Sequence, residues 1–292
     1  MMPVPSSFSR RNLLKLMGAT AAALAAGPAS LRAADAAPLQ LKGRIKQGLC
    51  MGALRGIKDF EEICKICVRL GIKGIDFTGP KEWETMKKYG LVGTLSRSGT
   101  LKSGFNHKEN HAEALASLRK AIEETSAAGF PNVICFSGNR AGLSDEEGLV
   151  NCVAGLKQVA ALAEEKKVNV CMELLNSKRN HKDYQCDHTA WGVEMCKRVG
   201  SERIKLLYDI YHMQIMEGDV IATIKESVKY IGHMHTAGNP GRHEIDDTQE
   251  LFYPAIMRGV VDSGYQGYVS HEYTPTRDAV ASLEQSVRLC DV

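Results

Sequence analysis

The chain has 292 residues, with 37 Lys and Arg, 34 Asp and Glu and 9 His, for a formal net charge of +3. A balance this close to neutral, with no dense run of Lys or Arg, leaves no footprint for a phosphate backbone and argues against a nucleic acid partner. The 9 Cys, an odd number at irregular spacing, exclude a disulfide scaffold.

In chain order, the first 36 residues read as a leader. Ser9-Arg10-Arg11-Asn12-Leu13-Leu14-Lys15 is a twin-arginine pattern, residues 16–26 are its apolar, alanine-rich region, and Ala34-Asp35-Ala36 offers an A-x-A cleavage site. That region is too short and too weakly apolar to span a bilayer. No Cys lies near the cut to carry a lipid, so no stable membrane anchor is expected. The expected location is periplasmic or otherwise extracytoplasmic, reached by the twin-arginine route, which exports proteins already folded. The leader holds Arg10, Arg11, Lys15 and Arg32 against Asp35, so residues 37–292 carry 33 basic and 33 acidic side chains and no net charge. A stretch of that length is the usual size of one α/β barrel.

From Arg44 onward, apolar strand-like runs alternate with helical periodicity. The predicted strands are residues 45–50, 74–77, 91–96, 132–136, 168–174, 205–210, 231–236 and 268–273. Helical repeats fill the intervals, clearest in HAEALASLRKAIEETSAAG, EEGLVNCVAGLKQVAALAEEKK and RDAVASLEQSVRLC. Ser144-Asp145-Glu146-Glu147 reads as a helix start with acidic residues on the positive end of the dipole. Gly129-Phe130-Pro131 and Asp262-Ser263-Gly264 read as stops. Cys64 and Cys67, one helical turn apart in EEICKICVRL, read as two buried thiols, and Trp83 and Trp191 as packing residues. Eight strands, each followed by a helix, make a single (β/α)8 TIM barrel. The rival open sheet is disfavoured because no G-x-G-x-x-G follows the first strand.

Four polar residues close apolar runs in the second half: Glu173 in VNVCMELL, Asp209 in IKLLYDIYH, His235 in YIGHMHTAGN and Glu272 in YVSHEYTP. Their separations of 36, 26 and 37 residues are each about one strand-plus-helix unit. In a closed parallel barrel the C-terminal strand ends converge on one mouth, so the four are expected to meet. Three carboxylates and one imidazole form a hard, oxygen-rich site suited to one Mn²⁺ or Mg²⁺ ion, and Co²⁺ also fits. A structural zinc would want thiolates or several histidines. Residues two apart on a strand face the same way, which places Cys171, Leu207, His233 and Ser270 one layer below. His233 is expected as a buried hydrogen-bonding partner rather than a ligand, and His271 is expected to point outward toward the helices.

The stretches MELLN, YDIYHMQ, HMHTAGNPGRHE and SHEYTP resemble the hydroxypyruvate isomerase group of the xylose isomerase-like TIM barrels. That superfamily also holds ketose 3-epimerases and repair nucleases of the endonuclease IV type. The resemblance runs from about Arg44 to Val292. It implies that Glu173, Asp209, His235 and Glu272 are metal ligands, and that Glu173 and Glu272 are the catalytic acid/base pair. It further implies that His212, Arg242 and His107 bind substrate, and that the chain forms a homo-oligomer. His235 stands where hydroxypyruvate isomerases more usually carry Gln and the ketose epimerases carry His.

The implied chemistry is an enediolate route on a small carbohydrate or hydroxy-acid substrate. A glutamate removes a proton beside a carbonyl; return to the neighbouring carbon is isomerisation, and return from the opposite face is epimerisation. His212 would serve a carbonyl oxygen and Arg242 a carboxylate or hydroxyl. Alternatively, His212 caps the helix that follows it, and Arg242 bridges loops through Glu244 or Asp246. Asn176 and His181 lie in a long polar loop expected to cover the mouth. An exported chain points to an extracytoplasmic carbohydrate, which keeps ketose 3-epimerase and keto-glycoside lyase outcomes open. A non-catalytic sugar-binding barrel and a nuclease are the readings from other classes.

Overall fold

The computed structural model describes residues 37–102 and 104–292; the expected leader lies outside the described residues. Eight strands follow in order: β1 Lys46–Cys50, β2 Gly74–Asp76, β3 Val92–Leu95, β4 Asn132–Cys135, β5 Asn169–Glu173, β6 Ile204–Asp209, β7 Ile231–Thr236 and β8 Tyr268–His271. All neighbours are parallel, in the row β3-β2-β1-β8-β7-β6-β5-β4. The ends of that row meet at Ser96, just past β3. Its N–H donates to Asn132 O at 2.9 Å, and its carbonyl accepts from Ile134 N at 3.0 Å. The sheet therefore closes on itself, and the fold is the single TIM barrel that the alternation predicts.

The helices form where local signals place them. Asp59 caps α1 (Phe60–Arg69), which buries Ile63, Cys64, Ile66 and Cys67 on one face. α2 is Pro80–Lys88, and α3, His111–Ala128, stops at the predicted Gly129. Ser144 and Glu147 form a reciprocal capping box at the start of α4, Asp145–Lys166. α5 is Thr189–Val199. The crossover from β6 to β7 carries two helices rather than the one expected, α6 (Ile210–Met216) and α7 (Val220–Ser227). α8 (Tyr253–Asp262) and α9 (Ala279–Cys290) complete the ring. Among the described residues, no helix is long and apolar enough to cross a membrane.

Two cores result. One lies between strands and helices and holds seven of the nine cysteines, all nine being buried free thiols. Cys64 and Cys67 belong there as packing residues, as expected, and burial pushes the Cys64 thiol up to about 11. Trp83 also packs, edge-on to Phe130 at 5.3 Å. The second core plugs the barrel with Leu95, Ile134, Cys171 and Leu207, topped by Phe77 and Phe136. The polar residues above that plug can act only toward the open mouth.

Strand spacing leaves no room for side chains at some positions. A Cβ on Gly74 would lie 2.2 Å from Val92 O and 2.6 Å from Thr94 Cγ2, and a main-chain carbonyl in a paired strand cannot move aside. Gly74→Ala should destabilise the fold by about 1–3 kcal/mol, read as a lower urea midpoint at unchanged m-value. An unchanged midpoint would mean that β2 and β3 are not packed this closely.

Candidate metal centre at the barrel mouth

Strand ends and register bring the four predicted residues together. Glu173 ends β5, Asp209 ends β6, His235 is next to last in β7, and Glu272 follows β8 directly. Asp209 stands opposite His235 across β6 and β7, and His235 opposite Ser270 across β7 and β8. One ligand atom from each of the four lies within 4.8 Å of all the others. Glu173, Asp209 and His235 are buried, while the Glu272 side chain is 25% exposed.

Each side chain is aimed by a specific contact. Asp209 is the N-cap of α6: its Oδ1 accepts from Tyr211 N at 2.9 Å and from His212 N at 3.4 Å. Asp209, not His212, therefore caps this helix, which leaves Oδ2 facing the mouth. His235 Nε2 lies 2.9 Å from Asp76 Oδ2. Its Nδ1 sits 2.8 Å from Glu272 Oε2, an ion-pair contact without the alignment of a hydrogen bond. A ring nitrogen placed in this way, among three carboxylates, fits a hard divalent cation that takes oxygen and imidazole donors. The residues present thus fit the implied ion.

His212 is fully buried inside α6. Its Nδ1 accepts from the Asn176 N–H at 3.2 Å and lies 2.6 Å from Asn176 Nδ2. A backbone N–H can only donate, so the ring's own proton must sit on Nε2, 3.5 Å from Asp209 Oδ2 and without a hydrogen bond. Burial, then the charge of Arg242, holds His212 well below the usual imidazole range. It is a neutral N–H donor aimed at the metal cluster.

Arg242 reaches the same cluster, with Nη2 3.0 Å from Asp209 Oδ2 and 2.7 Å from Glu272 Oε2. Its guanidinium lies 5.4 Å from the ring centre of Tyr211. The backbone of Arg242 is left-handed, φ +58°, a conformation that costs a non-glycine residue about 1–2 kcal/mol. The turn is held by Arg242 N donating to Gly238 O at 2.9 Å and Gly238 N to His243 O at 2.9 Å. The alternative role as a bridge to Glu244 or Asp246 is corrected, since Thr276, Thr248 and Arg277 engage those carboxylates instead.

A cavity of about 460 Å³ opens above the cluster. Phe77, Phe136 and Leu175 form its apolar wall, and Glu173, Glu272 and Arg242 its polar one. Arg97 stands at the rim, with its Nε donating to Phe77 O at 3.0 Å. His181, from the loop expected to cover the mouth, lines the cavity and meets His212 edge-on at 5.2 Å. The expectation that His107 faces substrate is corrected. Its Nε2 is turned onto Asn139 O at 3.1 Å and Arg140 O at 3.2 Å, and the ring does not line the cavity. His233 and His271 fall where predicted. His233 lies below the cluster with Nε2 2.8 Å from Asp76 Oδ2, and His271 faces outward between Gln47 and Thr236.

Residues 81–290 match the family described as xylose isomerase-like TIM barrel. The chain belongs to that family. A putative hydroxypyruvate isomerase of Homo sapiens is 28% identical over 172 residues, 57% of this chain and 62% of the relative. A 2-oxo-tetronate isomerase of Cupriavidus necator is 37% identical over 124 residues, 42% of this chain and 47% of the relative. The matched segments thus span about half to three-fifths of these relatives. Among solved structures, an AP endonuclease of family 2 from Brucella melitensis superposes with a TM-score of 0.74 at 22% identity, covering 82% of this chain and 96% of its own. That likeness carries the fold alone.

Asp76 is not among the candidates that the sequence offers, although it ends β2 as Glu173 ends β5 and Asp209 ends β6. It is fully buried. Burial alone would raise its carboxyl, yet His233 and then His235 hold it below the usual range. The two glutamates diverge: burial and then the Glu272 charge push Glu173 from 4.5 up to about 8. Burial opposes ionisation of Glu272 too, but His235 and Arg242 keep it lowered.

For an acid raised in the folded state, the stabilising contribution is complete below the unfolded pKa and is lost as pH climbs through the folded one. The metal-free protein should therefore lose stability through Glu173 as pH rises from about 5 toward 8. Glu173→Gln removes that loss. In thermal melts with chelator, the variant should gain on the wild type with rising pH, by roughly 2–4 °C per kcal/mol relieved. A gap that stays flat from pH 5 to 9 would contradict the assignment.

Proposed function

We propose that this chain is an isomerase of a small hydroxy acid or sugar, working by proton transfer beside a carbonyl with one divalent cation, Mn²⁺ or Mg²⁺. Glu173, Asp209, His235 and Glu272 would hold the ion, whose charge stabilises a substrate oxygen as it becomes anionic. The observation that carries this reading is geometric: Glu173 and Glu272 both line the one cavity, beside Asp209 and His235, so two possible proton carriers face the same substrate space next to the ion. With both ionised on the ion, one would take the proton beside the carbonyl and the other would return it or hold the substrate. The neutral His212 supplies an N–H to a developing oxyanion, and Arg242 can turn its free donors to a hydroxyl or carboxylate of the substrate. His107 has no part in this reading. The isomerase names of the relatives support it as well.

The second reading is a ketose 3-epimerase or keto-glycoside lyase. It is favoured by a cavity of about 460 Å³, roomy for a three-carbon acid, and by the twin-arginine pattern of residues 9–15. We take the site of action as extracytoplasmic on that pattern; recovery of the protein solely from the cytoplasm in cell fractionation would overturn this.

Incubation of the Mn²⁺-loaded protein in D₂O with hydroxypyruvate, ketoses, aldoses and 3-keto-glycosides tests the function. Deuterium should appear on the carbon beside the carbonyl of one substrate, and chelation should abolish it. Glu173→Gln should slow the exchange about 10²–10⁴-fold. No exchange on any of these substrates, with metal bound, would leave a sugar-binding barrel instead.

A further inference from the structure

Below the metal cluster the barrel buries a second polar group that the proposed chemistry does not use. Asp76 accepts from four sides. His235 Nε2 is at 2.9 Å and His233 Nε2 at 2.8 Å on its Oδ2, the Cys50 thiol is at 3.5 Å on the same oxygen, and the Thr94 hydroxyl donates to Oδ1. Asp76, Thr94, His233 and His235 are all completely buried. A carboxylate so placed would be costly without such donors, and its position is over-determined by β1, β2, β3 and β7 together.

We propose that Asp76 is the positioning residue of the metal centre: it fixes a proton on His235 Nε2 and so presents the bare Nδ1 to the ion. The inference rests on the metal reading above. The two imidazole nitrogens are not equivalent, and which one can take a cation is decided by what the other must donate to. Asp76 only accepts, so Nε2 must carry hydrogen. The opposite nitrogen then points at Glu272, 2.8 Å away, and toward the other two carboxylates, and it makes no hydrogen bond that would have to break for an ion to enter. His233 acts as a brace. It binds the same oxygen from the layer below and meets the His235 ring edge-on at 5.1 Å, while Phe77 closes the other side at 5.9 Å. Thr94 holds the far oxygen and stops the carboxylate from rotating. The negative charge against Nε2–H also makes Nδ1 a stronger donor to a cation.

Asp76→Asn tests this, because the amide keeps the shape but cannot reproduce a carboxylate that accepts from two imidazoles and a hydroxyl. Mn²⁺ affinity, measured by titrating the chelator-stripped protein and following free Mn²⁺ by electron paramagnetic resonance, should fall about 10–100-fold. The melting temperature of the metal-free variant checks that the fold persists. In the Mg²⁺-loaded wild type, nitrogen-15 NMR should find the His235 proton on Nε2, and that signal should be absent from Asp76→Asn. Should Asp76→Asn not fold, Thr94→Val removes one bond to Asp76 and should weaken Mn²⁺ binding several-fold. Cys50→Ala should leave the affinity within about twofold of wild type.

Wild-type affinity in Asp76→Asn, or in Thr94→Val where that variant stands in for it, or a His235 proton on Nδ1 in the loaded protein, would overturn the proposal. An equal loss in Cys50→Ala would overturn it too, by placing the ion among Cys50, Asp76 and His235. If the wild type itself binds no Mn²⁺ or Mg²⁺, it is the metal reading that fails, a result distinct from all of these.

Discussion

Three carboxylates forced within 4.8 Å of one another, in a mouth sealed below by an apolar plug, repel each other strongly, and the rest of the mouth is arranged around that repulsion. Barrel closure imposes it, because parallel strands of similar length end at one level and deliver their last side chains to one point. Asp209 is partly relieved by the first N–H groups of α6, and Glu272 by Arg242 and His235. Glu173 is raised above the usual carboxyl range, by burial first and then by the Glu272 charge. The same crowding makes a cation favourable there.

Below this cluster the lumen changes character within one strand layer. Cys171, Leu207, His233 and Ser270 sit under the four mouth residues as predicted, and beside His233 and His235 stands Asp76. The mouth is thus a charged surface resting on an apolar plug, joined to it through one buried carboxylate. Such an arrangement restricts ring motion at His235 and ties its position on β7 to the geometry of β2 and β3. It also explains why a fully buried aspartate is tolerated at that depth: it is satisfied by donors from several strands at once.

Much of this was legible because the barrel ties chemistry to strand ends. An apolar run closing on Glu173, Asp209, His235 or Glu272 names both a strand and the level of its last residue, so the fold and the cluster came together. Asp76 carries the same signal in GIDFTG, but the strand was extended by one residue to Phe77. There the backbone turns left-handed, φ +59°, a change that no periodicity announces. His107 fails for a different reason. The segment after β3 is laid along the extension of β4, where Gly104 and Gly138 approach so closely that a Cβ on Gly104 would lie 2.1 Å from Gly138 N. That contact carries the His107 ring onto the carbonyls of Asn139 and Arg140. Long-range main-chain contacts of this kind are invisible in local pattern. His181 and Asn176 were seen as part of a covering loop, but their joint hold on His212 depends on how that loop folds back.

The proposed function requires a single divalent ion at the mouth, held by Glu173, Asp209, His235 and Glu272, with His235 bound through Nδ1. Crystals of the protein loaded with Mn²⁺, with diffraction measured on both sides of the manganese absorption edge, test it most directly. One anomalous peak among those four side chains, on the Nδ1 face of His235, is the result expected. A peak on the Nε2 face beside Cys50 and Asp76, or no peak in the barrel at saturating Mn²⁺, would contradict it.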